Sequence, residues 1–212
     1  DLYYERMACH DTLNTVNLKK RQGKYMLFGK KMVEIVHELF DEYVHKGDSV
    51  IDATMGTGQD TLKLCQCVGS EGRVYAFDIQ QEALVQTRIL LENNHVDAQA
   101  QLICDSHAHI SEYVHEDVAA FVFNLGYLPN GDSSIVTKSD TTIQALEACL
   151  ECLKTGGIGV VLAYWGHPGG ADEKNCVDKL LSDLKPKKYD VLKLENHNRA
   201  HTPPILYMLL KH

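Results

Sequence analysis

The sequence predicts an α/β protein: a single doubly wound sheet of seven strands, mostly parallel, with an antiparallel last strand. Three observations predict it. Short apolar runs alternate with longer segments of helical periodicity through most of the 212 residues, an order that gives crossover connections and a parallel sheet. The last two apolar runs, residues 189–194 and 205–210, have no helix between them, so one of the pair enters antiparallel. The first strand runs into a glycine turn, Gly56-Thr57-Gly58, that opens a helix, as at the ligand edge of open α/β sheets.

The elements follow in order. Met32, Ile35, Val36, Leu39, Phe40 and Tyr43 share one face of a helix, which Gly47-Asp48 ends. Residues 49–53 read as a strand, 60–68 as a helix, 73–79 as a strand and 80–94 as a helix. Residues 101–104 are a third strand, and 109–114 a short helix. The five apolar residues 119–123 form a buried fourth strand. A helix over 141–153 is stopped by Gly156-Gly157, and the fifth strand spans 158–164. Pro186 ends a helix over 172–184, and the terminal strand pair closes the chain. This order resembles the class I, Rossmann-like methyltransferase fold. Two parts are expected: a basic segment over residues 1–30, substrate-binding and packed on the core, and a catalytic domain over 31–212.

Composition is that of an ordinary soluble domain, 44% hydrophobic and 24% charged. No apolar run approaches the ~20 residues of a membrane-spanning helix. No basic-then-apolar leader is visible, and seven cysteines, an odd number, suit a reducing compartment; a cytoplasmic location is expected. A net charge of −8 argues against general coating of nucleic acid, which runs on phosphate neutralisation. A local basic site remains. No Asp or Glu occurs from Thr12 to Val33, while Lys19, Lys20, Arg21, Lys24, Lys30 and Lys31 do, a polarised group suited to a polyanion. Lys185, Lys187, Lys188 and Lys193 form a second group, equally well read as a solvated face.

The glycine turn is the first half of a candidate site. Gly56 and Gly58 let backbone approach a ligand, although Thr61 stands where a dinucleotide fingerprint has its third glycine. Asp52 ends the preceding strand, where a carboxylate suits the ammonium of an amino-acid cofactor; Thr54, Gln59 and Thr61 belong to the same turn. Asp60 contributes to this pocket or, alternatively, caps the helix. Asp78, followed by Ile79, ends the second strand and can accept ribose hydroxyls. Asp105-Ser106-His107 follows the third strand, placed for adenine, with a helix cap as the other reading of Asp105. Acids at three successive strand ends fit S-adenosylmethionine.

The second half is Asn124-Leu125-Gly126-Tyr127-Leu128-Pro129-Asn130-Gly131-Asp132 after the fourth strand. It resembles the Asn-Pro-Pro-Tyr signature of amino-group methyltransferases, with Leu and Gly replacing the prolines. Methylating an amine needs a lone pair aimed along the sulfur–methyl axis. The Asn124 side chain and the Leu125 carbonyl can take the N–H protons and leave that lone pair facing the methyl group. Tyr127 can stack on the base or hydrogen-bond to it, and Asp132 or His167 can serve as general base. Pro129 and Gly131 shape the pocket.

With His167-Pro168-Gly169-Gly170 and residues 198–204, these motifs resemble, over the whole chain, the YtqB-like family once labelled rRNA methylases. Its members are MnmM-type tRNA wobble-uridine methyltransferases. The resemblance implies methylation of 5-aminomethyl-2-thiouridine to 5-methylaminomethyl-2-thiouridine, S-adenosyl-L-methionine as donor, an anticodon stem-loop as substrate and a homodimer. The chain departs from the family pattern at Asn130 and Ser133, where glycine and lysine are usual, and at His201-Thr202, where asparagines are common. On this reading Lys19, Lys20, Arg21 and Lys24 meet stem phosphates. Tyr127, Trp165, Asn198 and Arg199 line a base pocket, with strand-end packing an equal reading of Trp165. Two other functions stay open: the same fold acting on rRNA or a small-molecule amine, and a non-catalytic RNA-binding module. No metal is expected. Cys149 and Cys152 lie in a helix without a partner pair, and His37, His45 and His95 read as surface residues.

Overall fold

The computed structural model describes residues 29–126 and 136–212. The chain divides into two compact units, residues 1–35 and 36–212. The basic group at Lys19, Lys20, Arg21 and Lys24 lies outside the described residues, as do Tyr127, Pro129, Gly131 and Asp132.

The first described helix, α1 (Met32–Tyr43), buries Val36 and Phe40 on its apolar face. There follow β1 (Ser49–Asp52), α2 (Gln59–Val68), β2 (Arg73–Asp78), α3 (Gln81–Asn93), β3 (Ala100–Cys104), α4 (Ile110–Tyr113) and β4 (Val118–Leu125). The chain continues through α5 (Ser139–Cys152), β5 (Leu153–Ala163), α6 (Gly170–Ser182), β6 (Tyr189–Leu194) and β7 (Ile205–Lys211). One seven-stranded sheet has the order β3-β2-β1-β4-β5-β7-β6. The first five strands are mutually parallel, and β7 lies antiparallel to both β5 and β6. The seven strands and the antiparallel last strand expected from the sequence are thus present. No described helix is long and apolar enough to cross a membrane.

Three boundaries differ from the sequence reading. β4 continues past Phe123, pairing Asn124 with Leu162 and Leu125 with Ala163. The expected amide therefore sits on the rigid end of a strand and not in a loop. β5 begins at Leu153, where Leu153 pairs with Val118, and the register shifts before Ala120. Gly156 takes a left-handed φ of 78° inside that irregularity, so the two glycines bend a strand where the pattern suggested a helix stop. The helix expected over 109–114 splits into a 3₁₀ turn, His107–His109, followed by α4.

The core holds the sheet in place beneath the site. Phe121 and Phe123 are fully buried and meet edge to face, 5.9 Å between centroids. Gly159 opposes Phe121 in the β4–β5 ladder, and a Cβ there would run into the Phe121 ring. That glycine is required by packing, since its absent side chain is the space the ring occupies.

Candidate active site

The parallel order brings the carboxyl ends of β1, β2, β3, β4 and β5 to one edge of the sheet, and the chemistry-bearing residues gather there. Asp52 closes β1 and is fully buried. Its Oδ2 accepts the Thr61 hydroxyl at 2.6 Å and its Oδ1 the Thr54 N–H at 3.2 Å. The structure thus gives Asp52 a different contact from the direct grip on an ammonium that the sequence suggested: it ties the glycine turn to the start of α2. Burial, with the charges of Asp60 and Asp78 added, pushes its carboxyl up to about 7.

The turn depends on its glycines. Gly58 adopts φ 80°, and a Cβ on it would lie 2.7 Å from the Thr87 Oγ1 on α3. Thr87, fully buried, donates its hydroxyl to the Gly56 carbonyl at 3.2 Å. Asp78 closes β2, accepting the Gly56 N–H at 3.1 Å and the Gln80 N–H at 2.9 Å. Burial raises its carboxyl despite these donors. Ile79 beside it is 58% exposed, an unusual position for an apolar side chain and a ready cover for a flat ring.

After β3, Asp105 accepts His109 Nδ1 at 2.9 Å and the Tyr113 hydroxyl at 2.9 Å, which hold its carboxyl below the ordinary range. It is not the cap of the following turn; Ser106 is, accepting the Ala108 N–H. His107 donates Nδ1–H to the Ala53 carbonyl, 3.2 Å away. Its Nε2 is buried without a hydrogen-bond partner, and burial lowers the imidazole's proton affinity. A neutral, acceptor-ready nitrogen is therefore left at the edge where a ligand would lie.

Asn124 ends β4. Its backbone N–H donates to Thr54 Oγ1 at 2.6 Å, which fastens β4 to the glycine turn. Its side-chain Nδ2 is 2.6 Å from Asp60 Oδ2, and Asp60 Oδ1 is 2.6 Å from His37 Nε2. Asp60 provides no side-chain cap for α2, so the capping alternative does not hold. His37, read from the sequence as a surface residue, is partly buried and paired. The Leu125 carbonyl, expected to receive an amine proton, accepts the Tyr164 N–H at 2.9 Å in the β4–β5 ladder, which leaves its second lone pair for a further donor.

The chain residues 74–210 match the family model described as "Putative rRNA methylase". Over 195 residues, the chain is 39% identical to a relative from Arabidopsis thaliana, "tRNA (mnm(5)s(2)U34)-methyltransferase, chloroplastic", covering 86% of this chain and 70% of that one. This chain belongs to the rRNA methylase family. Two solved structures resemble this family member closely. One, a "putative rRNA-methylase" from Clostridium thermocellum, has a TM-score of 0.85 and 41% identity, covering 88% of this chain and 100% of its own. The other, a "putative methyltransferase" from Streptococcus mutans in complex with SAH, has a TM-score of 0.80 and 37% identity, covering 86% and 99%.

In this methylase, Asp52, Thr54, Asp60, Thr61 and Asn124 form one hydrogen-bonded network, Gly56 pairs with Asp78, and Gly58 and His107 stand at the same sheet edge. Gln59 opens α2 and is exposed. Trp165 is committed to packing, its Nε1–H donating to the Pro203 carbonyl at 2.9 Å with Lys174 over its ring. Asn198 and Arg199 are exposed on the loop between β6 and β7. His167 directs Nδ1 at the Pro168 carbonyl, 3.1 Å away. Its Nε2 is buried, 4.0 Å from where a Cβ on Gly126 would stand, so that atom packs against the chain at the end of β4.

Two features of this edge escaped the sequence reading. Tyr164, at the end of β5, is 45% exposed beside Gly126. Burial and then the charge of Asp60 raise its phenol, and its ring stands beside the end of β4. Glu173, 2% exposed, accepts the hydroxyls of Thr137 at 2.7 Å and Thr142 at 2.6 Å. Thr137 in turn exchanges two hydrogen bonds with Gly126, each 2.9 Å. Glu173 therefore anchors the chain on the far side of the Asn124 segment. An Asx or aromatic after a strand carries a sequence signal; an acid in the first turn of a helix carries none that distinguishes it from an ordinary dipole partner.

Proposed function

We propose that this protein is an S-adenosylmethionine-dependent N-methyltransferase acting on tRNA, converting 5-aminomethyl-2-thiouridine to 5-methylaminomethyl-2-thiouridine at the wobble position. The observation that carries this reading is Asn124: an amide held at the carboxyl end of β4 by Thr54 and Asp60, directly beside the glycine turn. The name carried by the Arabidopsis relative supports the substrate.

The residues present fit the cofactor. Carboxylates at Asp52, Asp60 and Asp78 crowd one another, and a ligand bearing a sulfonium and an ammonium relieves that crowding, whereas a pyrophosphate would worsen it. Asp78 would hold the ribose, Ile79 would cover the adenine, and the unpartnered His107 Nε2 would accept a hydrogen bond from the ligand or a bridging water. Gly56, Gly58, Gln59 and Thr61 form the turn around the amino-acid portion, with Asp105 and Ser106 at the adenine end. Bound there, S-adenosylmethionine supplies an electrophilic methyl group. The chain's own task is then to hold the amine. Because the Asp60 carboxylate takes Nδ2, the Asn124 carbonyl oxygen is left to accept an amine N–H, and the lone pair can face the methyl group. Much of the acceleration comes from this positioning. Tyr164 adds a further polar contact at the acceptor beside the Leu125 carbonyl, and the roles expected of Tyr127 and Asp132 stay part of this reading.

The reading extends to an anticodon stem-loop engaged through Lys19, Lys20, Arg21 and Lys24, with Asn198 and Arg199 at the base. It also includes a homodimer, which the family resemblance implies, and a cytoplasmic location, which the cysteine usage suggests. The test is direct. Purified protein is incubated with S-adenosylmethionine and tRNA bearing 5-aminomethyl-2-thiouridine, and the nucleosides are weighed by mass spectrometry. Gain of one methyl group on that nucleoside is expected. An unmodified nucleoside with methyl transfer elsewhere would move the substrate to another base, and no transfer at all would refute the enzyme assignment.

A further inference from the structure

We infer that His37 is a positioning residue for the methyl acceptor, acting through Asp60 on Asn124. This rests on the functional reading above and adds a residue that neither contacts the expected ligands nor belongs to a sequence motif. The three side chains come from three elements, α1, α2 and β4, and form an unbroken line. His37 Nε2 lies 2.6 Å from Asp60 Oδ1, and Asp60 Oδ2 lies 2.6 Å from Asn124 Nδ2. Asp60 is 6% exposed, so both bonds lie in a largely desolvated setting.

The chemistry of a carboxylate dictates the rest. An ionised carboxylate only accepts hydrogen bonds, so both partners must donate. His37 carries its proton on Nε2, and Asn124 turns its NH₂ inward. The amide cannot flip without setting its carbonyl against a carboxylate oxygen at 2.6 Å, which is repulsive. Asn124 Oδ1 is thereby presented as an acceptor in one orientation, the orientation an amine N–H requires.

His37 is what fixes Asp60. With one oxygen held from α1, the carboxyl plane cannot rotate away from Asn124, and Asp60 is not needed to cap α2, as no side-chain cap bond is made there. The His37 ring also stacks on Phe40, 6.1 Å between centroids with a 30° tilt, so the donor's own rotamer is restrained by the core. A positioning role of this kind selects for acceptors that bring an N–H.

The experiment uses the full chain with two readouts. In cofactor-free protein, the Asn124 side-chain amide is assigned by nitrogen–proton NMR through its loss in Asn124→Ala. His37→Leu is expected to shift that resonance pair, and His37→Gln, which still donates an N–H, to restore much of it. In single-turnover methylation of the tRNA above, His37→Leu should lower the rate about tenfold or more. Its affinity for S-adenosylmethionine by calorimetry should stay within about twofold of wild type, because no cofactor contact has been removed. His37→Gln should recover most of the rate. An unmoved Asn124 resonance in His37→Leu, or an unchanged rate, overturns the inference. If the wild-type protein methylates no tRNA, the functional reading fails, and the NMR comparison still decides whether His37 orients Asn124.

Discussion

Asp52→Asn separates the structural role of the buried acid from its charge. The carboxyl has no exposure and its proton affinity is raised from 3.8 to about 7, chiefly by burial and then by Asp60. An acid raised in the folded state holds its proton where the unfolded chain has already lost it. Stability therefore falls as pH climbs from about 4 to about 7, and it levels off above the folded value. At 1.36 kcal/mol per unit, the fall attributable to this group between pH 5 and pH 8 is about 2.5 kcal/mol. Asparagine keeps the shape: its oxygen can accept the Thr54 N–H and its NH₂ can donate to Thr61 Oγ1, which reverses that hydroxyl's role. The variant lacks the titration, so its stability advantage over wild type should grow by about that amount across the interval. Urea unfolding of the cofactor-free proteins at pH 5, 6, 7 and 8, with unchanged m-values, measures it. A difference between the two proteins that does not vary with pH would show that Asp52 ionises as freely in the fold as out of it, and the crowding argument would collapse.

Asp78→Ala should weaken S-adenosylmethionine binding by ten- to a hundredfold, as expected for a lost charged hydrogen-bond acceptor worth roughly 1.5–3 kcal/mol; calorimetric affinity equal to wild type would remove Asp78 from the pocket. Asn124→Ala should cut single-turnover methylation by about a hundredfold while the cofactor still binds, and normal turnover would deprive the amide of its orienting role. Gly159→Ala should destabilise the fold by about 1–3 kcal/mol in urea, because its Cβ invades the Phe121 ring and overpacks the core. Glu173→Ala should lose about 1–3 kcal/mol by leaving the buried Thr142 hydroxyl and its neighbour Thr137 without their acceptor; an unchanged midpoint would mean that water replaces it.

Much of the cofactor half was legible in the sequence, because each strand end is marked locally. A buried apolar run followed by a lone acid or amide names both the strand and the residue at its edge, and Asp52, Asp78, Asp105 and Asn124 all stand there. Their partners were less visible. From the sequence Asp60 reads as a pocket residue or, alternatively, a helix cap; its side-chain partners are His37, 23 residues before it, and Asn124, 64 residues after it. Tyr164 lay hidden at the end of a strand rich in apolar residues, and its value depends on the bare Gly126 beside it.

The sequence alone settled the alternation of strands and helices, the antiparallel closing strand and the residues at each strand end, since these follow from hydrophobic period and turn chemistry within short windows. Which oxygen faces which donor was decided by strand order and register. β1 lies between β2 and β4, and β4 between β1 and β5; the first adjacency sets Thr54 against Asn124 and Gly56 against Asp78, and the second sets the Leu125 carbonyl against the Tyr164 N–H. Such contacts carry no local signal, because they exist only when segments far apart in the chain are brought to one edge of the sheet.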